Sequence, residues 1–256
     1  MRAFFAFLKK EYTESLRSGK FMLLGILFIA IGIMNPAVAK LTPWLLETMS
    51  ESLEETGMSI TAVTVDALTS WTQFFKNIPM MLIAYVLVYA GAFTKEYEAG
   101  TLVLILTKGI ARYKILLSKT LWLISYWTVG YFASFGITYG YNAYYWDNSI
   151  AKDLFPAVLC WYLFSLLVIC LMVLFSVLGS TSSAVMMGTG MVVLASYLLS
   201  FFPKLVRYLP TSLMNGMTIL TGAETVEHYL PAIILSGTLC IICIAGSIPI
   251  MNKKQL

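Results

Sequence analysis

Leu154-Phe155-Pro156-Ala157-Val158-Leu159-Cys160-Trp161-Tyr162-Leu163-Phe164-Ser165-Leu166-Leu167-Val168-Ile169-Cys170-Leu171-Met172-Val173-Leu174-Phe175-Ser176-Val177-Leu178 contains no ionisable side chain other than two thiols and one phenol. A helix needs about 20 such residues to cross a bilayer. The stretch is too long and too uniformly apolar for a surface helix of a soluble domain. It predicts a membrane-spanning α-helix, and the surrounding sequence repeats the pattern.

Six stretches qualify: residues 21–39, 78–94, 120–143, 154–178, 184–202 and 230–250. None contains Asp, Glu, Lys, Arg or His. Over the whole chain 59% of residues are hydrophobic and 12% charged. A soluble domain carries about 25% charged residues, so this chain cannot face water on all sides. The expected fold is an all-α integral membrane protein with six transmembrane helices, one transmembrane domain over residues 1–256. Nucleic-acid binding and soluble metabolic enzymes are excluded. Ion-coupled carriers, voltage sensors and intramembrane proteases hold ionisable groups in the bilayer. With none in the spans, energy is expected from outside the membrane.

Nucleotide chemistry is not expected on this chain. The only Gly-Lys pair is Gly19-Lys20, with Glu14 where a phosphate-binding loop has its first glycine and Phe21 after the lysine. Cys160, Cys170, Cys240 and Cys243 all fall in apolar runs and read as packing residues. Cys240 and Cys243 share a helical face without further ligands nearby, and no metal site is expected. His228 beside Glu224 and Glu227 is either a weak cation site or a wet stretch before the last span.

Lys and Arg set the orientation. With both ends in the cytoplasm, twelve of the 17 fall inside: Arg2, Lys9, Lys10, Arg17, Lys20, Lys95, Lys108, Arg112, Lys114, Lys119, Lys253 and Lys254. Lys40, Lys76, Lys152, Lys204 and Arg207 fall outside. The expected location is the cell membrane, multi-pass. Ala37-Val38-Ala39 resembles a signal-peptidase site, but signal peptides have short basic starts, and here an amphipathic, partly acidic stretch precedes the apolar core.

Between the spans, Phe4, Phe5, Leu8, Tyr12 and Leu16 recur at helical spacing. They predict a helix in the cytoplasmic interface that turns into the first span. The first outer loop is acidic and part-helical. Trp127, Tyr131, Phe135 and Tyr139 line one face of the third span, as packing or as a ligand-stacking stripe. Gly136 and Gly140 form a G-x-x-x-G helix-contact device. Residues 203–229, interrupted by Pro203, Pro210, Gly216 and Gly222, predict a broken, re-entrant or surface-lying outer segment between spans five and six.

The loop after the second span is the most informative. It runs Lys95-Glu96-Tyr97-Glu98-Ala99-Gly100-Thr101-Leu102-Val103-Leu104-Ile105-Leu106-Thr107-Lys108-Gly109-Ile110-Ala111-Arg112. Acids open it, where a helix N-terminus favours negative charge, and Gly109 suits a helix end. About three turns of helix are expected, with Leu102, Ile105 and Leu106 on one face. Such a face needs a groove, which a partner protein supplies.

The loop resembles that of the ABC-2 type transporter permeases, whose pattern is E-x-E-x-G-T, a leucine-rich helix, T-x-P-[IV]-[SA]-R and a later lysine. Glu96, Glu98, Gly100, Thr101, Thr107, Ile110, Ala111, Arg112 and Lys119 match, while Gly109 stands where proline is frequent. The resemblance implies a permease subunit that pairs with a second, identical or homologous subunit. It also implies two ABC ATPase subunits that hold ATP and Mg, with no cofactor on this chain. Segment 95–112 would contain the coupling helix. The implied activity is export. An uncharged, aromatic and Met-rich membrane portion suits a hydrophobic or amphipathic peptide or drug. The alternatives are an ion or lipid exporter within the family, or a non-transport six-span scaffold or assembly protein.

Overall fold

The computed structural model describes residues 2–54, 65–102, 107 and 109–254. All regular elements among them are helical. The order is α1 (Arg2–Arg17), α2 (Lys20–Glu54), α3 (Ala67–Tyr89), α4 (Thr94–Glu98), α5 (Arg112–Tyr145), α6 (Leu154–Leu178), α7 (Ser182–Leu199), α8 (Pro203–Val206), α9 (Gly216–Leu220) and α10 (Leu230–Lys253). Short 3-10 turns at Asn148–Ile150, Pro210–Met214 and Val226–Tyr229 complete the outer connections.

Five segments are long and apolar enough to cross a membrane: Lys20–Leu45, Ala67–Glu98, Leu154–Leu178, Ser182–Leu199 and Val226–Lys253. Four of the six expected spans lie within these, and the one expected over 184–202 overlaps Ser182–Leu199. The sixth, expected over 120–143, lies in α5. That helix is 34 residues long but is not among the five, because its rings carry hydroxyls and an indole N–H that lower its hydropathy. Those polar handles are used for packing. Tyr126 donates to the carbonyl of Phe21 at 2.6 Å, and Tyr131 to that of Val158 at 2.9 Å. Trp127, Tyr131 and Phe135 are buried in the core, so three of the four members of the aromatic stripe are packing residues.

α2 and α5 run side by side in the same direction. Phe28 lies against Gly130, Gly32 against Ser134, and the Asn35 amide donates to Thr138 Oγ1 at 3.1 Å. A Cβ on Gly130 would fall 2.2 Å from the Phe28 ring, and one on Gly32 would fall 3.0 Å from the Ser134 carbonyl oxygen. These are the close-contact glycines of the helix pair. Gly136 and Gly140, the expected contact device, have nothing within 4 Å of such a Cβ. They sit on the face of α5 turned away from α2. Asn77 on α3 joins the seam by donating to Asn35 Oδ1 at 2.7 Å. An uncharged polar seam therefore ties α2, α3 and α5.

α6 packs on α10 and α7, and the outer turns from Pro210 to Leu220 close over it. The helix in α2 continues through Pro36 and Pro43 to Glu54, well beyond the expected span boundary. The N-terminal helix α1 turns most of its predicted apolar spacing away from the protein. Phe5, Tyr12 and Leu16 are exposed and Phe4 and Leu8 half-buried, while Phe7, Glu11 and Ser15 face the protein. Gly19, at φ +72°, makes the turn into α2.

Candidate functional site: the charged junction

The inward face of α1 meets the loop after α3 in a cluster of charged groups. Lys119 of α5 is 1% exposed, and Glu11 and Glu96 are each 7% exposed. The Lys119 ammonium lies 2.9 Å from Glu11 Oε2 and 3.2 Å from Glu96 Oε1, and donates to the carbonyl of Ala92 at 3.0 Å. Lys10 adds a second ammonium, paired with Glu11 at 3.1 Å, with Glu14 at 2.8 Å, and with Glu96. Ser15 and Tyr89 share a hydrogen bond of 2.7 Å beside the cluster.

Burial works against the Lys10 charge. The Glu14 and Glu96 carboxylates that accept from it, with the Glu11 charge, outweigh that and raise its pKa. Burial also works against the Glu14 charge, but Lys10 prevails and lowers that pKa. Glu11, Glu14 and Glu96 each bring a carboxylate oxygen within 4.8 Å of the others. Two ammonium groups already lie among the three carboxylates, so the set is a largely compensated ion network and fits a divalent cation poorly. Buried carboxylates demand such partners, since an uncompensated buried charge is costly.

Segment 95–112 departs from the expected continuous helix. α4 ends at Glu98, Ala99 caps it, and Gly100 adopts φ +64°, a left-handed conformation that favours glycine. Helical backbone resumes at Thr101 and Leu102. Glu96 and Glu98 therefore belong to a short helix before the expected one. Glu96 faces inward and Glu98 is exposed. Leu102 is fully buried in the chain's own core, so it is not free to seat in a partner. Ile105 and Leu106 lie outside the described residues. Thr101, Thr107 and Gly109 are exposed, and Gly109 has φ +79°.

The ends of the segment are fixed to other helices. Thr94 Oγ1 and Ser182 Oγ, at the start of α7, are 3.0 Å apart. Arg112 donates to the carbonyls of Met251 at 3.2 Å and Asn252 at 3.4 Å, and to that of Lys254. Counted from Thr94, the short segment 94–112 thus contacts α1, α5, α7 and the end of α10. Glu96, Arg112 and Lys119 are brought into this junction. Lys10, Glu11 and Thr94 join them, and motif reading could not pair them because their partners lie far along the chain.

Residues 5–243 match a family described as ABC-2 family transporter protein. The chain belongs to the ABC-2 transporter family. Together with the apolar helices, membership makes it a multi-pass membrane protein, the membrane component of a transporter of this kind. Components of the ABC-2 family normally work with an ABC ATPase and are not themselves the catalytic part. No curated protein matches the chain.

Among the described residues the largely apolar cleft between α3, α6 and α7 has a volume of about 430 Å³. Leu82, Val86, Trp161, Phe164, Met186 and Val193 contribute to its lining. α7 is otherwise bare, and Met187, Met191 and Leu198 are exposed. At the outer end Glu224 accepts from Tyr229 and, at 3.4 Å, from Thr218. Glu224 is therefore engaged in folding the outer turn.

Proposed function

We propose that this chain is the permease subunit of an ATP-binding-cassette exporter. Six spans cross the cell membrane with both ends in the cytoplasm. Two permease subunits, identical or homologous, face each other, and two separate ATPase subunits holding ATP and Mg engage segment 95–112. ATP-driven closure of the ATPases displaces that segment, which changes access to a path for cargo. The cargo is a hydrophobic or amphipathic peptide or drug.

The observation that carries this reading is the convergence of α1, α5 and the end of α10 on segment 95–112 through charge-assisted bonds at Glu96 and Arg112, with α7 joined next to it at Thr94. Such bonds are short and directional, so a push on the segment reaches several helices together. Glu98, Thr101 and Thr107 supply its exposed strip, and the apolar cleft suits uncharged cargo. The bare face of α7 is the surface offered to the second permease subunit.

Purification with and without the ATPase tests the assignment. The chain alone is expected neither to bind nor to hydrolyse ATP, and the complex to show vanadate-sensitive hydrolysis. Stoichiometric hydrolysis by the chain alone would refute it.

A further inference from the structure

The cytoplasmic turn between α6 and α7 carries no charge and no motif, yet it is held from two sides. Helix C-termini leave carbonyls without intrahelical partners, and cations there are favoured by the helix dipole. At the end of α6, Lys254 Nζ donates to the carbonyls of Val177 at 2.8 Å and Gly179 at 2.6 Å. The same ammonium lies 4.1 Å from the centre of the Tyr97 ring. Tyr97 in turn donates to Met251 Sδ at 3.3 Å. On the other side, the Thr94–Ser182 hydrogen bond holds the start of α7. Gly91 allows that approach, since a Cβ there would fall 2.9 Å from Ser182 Oγ.

Lys254 is thus a relay. Its own carbonyl accepts from Arg112, which opens α5 at the end of segment 95–112. Its side chain grips the end of α6. α6 and α7 are two of the three helices that wall the apolar cleft.

We infer that Lys254 is a positioning residue that makes the turn 179–182 move with segment 95–112, so that the cleft walls follow the ATPase stroke. This rests on the proposed ATPase-driven reading. Arg112 and Tyr97 tie the segment to the end of α10. The Lys254 side chain extends the connection to α6, and Thr94 extends it to α7.

The test uses the permease–ATPase complex in nanodiscs, with the four native cysteines replaced and one cysteine introduced by Leu194→Cys in the cleft. Its reaction rate with N-ethylmaleimide is measured without nucleotide and after vanadate trapping. Trapping is expected to change the rate in the otherwise unsubstituted complex. Lys254→Ala is expected to keep ATPase association and hydrolysis but lose most of that change, and Lys254→Arg to restore it. Thr94→Val, which removes the hydroxyl and keeps the shape, is expected to lose part of it. An undiminished change in Lys254→Ala would overturn the inference, as would loss of ATPase association in step with the change. A complex that shows no ATPase association even without these substitutions would overturn the underlying reading instead.

Discussion

Glu96 and Lys119 form an ion pair of 3.2 Å between the loop after α3 and the start of α5, with both side chains buried. Each belongs to the family pattern, and they lie 23 positions apart in sequence. Their pairing gives the lysine beyond the loop a defined partner in this chain. That lysine neutralises the loop's inward carboxylate and, through Glu11, fixes α1 on the same spot.

Lys119→Ala leaves Glu11 and Glu96 buried with only Lys10 beside them. Breaking a buried pair by removing one partner costs about 3–5 kcal/mol. The substituted protein is expected to lose thermal stability in detergent, and Glu96→Gln combined with Lys119→Met to recover part of it. A melting temperature unchanged by Lys119→Ala would show that water reaches the network.

The α2–α5 contact makes a steric prediction. Gly130→Ala places a methyl inside the Phe28 ring, and overpacking of this kind costs about 1–3 kcal/mol. Phe28→Ala in the same chain is expected to relieve the strain, so the two substitutions are less than additive. Gly136→Ala, with open space around it, is expected to stay within about 0.5 kcal/mol of the unsubstituted protein. Thermal melts of the four proteins check this.

The ion network also sets a pH window. The Glu14 pKa is lowered from its ordinary 4.5, so its contribution is present above 4.5 and fades as pH falls through the lowered value. The Lys10 pKa is raised from 10.5, so its contribution is complete below 10.5 and is lost only as pH rises through the raised value. Docking of α1 is therefore expected to be flat between those two ordinary values and to weaken in acid. A fluorophore on a cysteine at Ser18 reports it. A transition near neutral pH would contradict the assignment of these two groups.

Orientation has its own test. In a chain without native cysteines, Ser149→Cys is expected to react with an impermeant thiol reagent in intact cells, and Thr107→Cys is not. The reverse pattern would turn the permease over.

The apolar runs made the helices legible in the sequence, because burial in lipid imposes length and composition on each span. The loop motif made Glu96, Arg112 and Lys119 legible as residue types, but not as partners of α1 and α10. Lys10 and Glu11 fall off the apolar spacing of the N-terminal helix, and spacing does not say what such residues face. In the folded chain they face inward, and Phe5, Tyr12 and Leu16 face outward. Lys254 carried no signal, since a lysine after a last span reads as an orientation signal. Gly32 and Gly130 fit no spacing rule because their contact joins two helices about a hundred residues apart. The break at Gly100 was hidden by the good helix formers on either side. Leu102 looked available to a partner because periodicity identifies an apolar face but not what covers it.

The central claim is that the exposed strip of segment 95–112 seats an ATPase and does not lie on the bilayer. Photo-cross-linking tests it most directly, with a photoreactive residue placed in turn at Glu98, Thr101, Thr107 and, as a lipid-facing control, Phe5. The account predicts adducts with the ATPase from the three segment positions and lipid adducts from Phe5. Lipid adducts from all four, with no ATPase adduct, would contradict it.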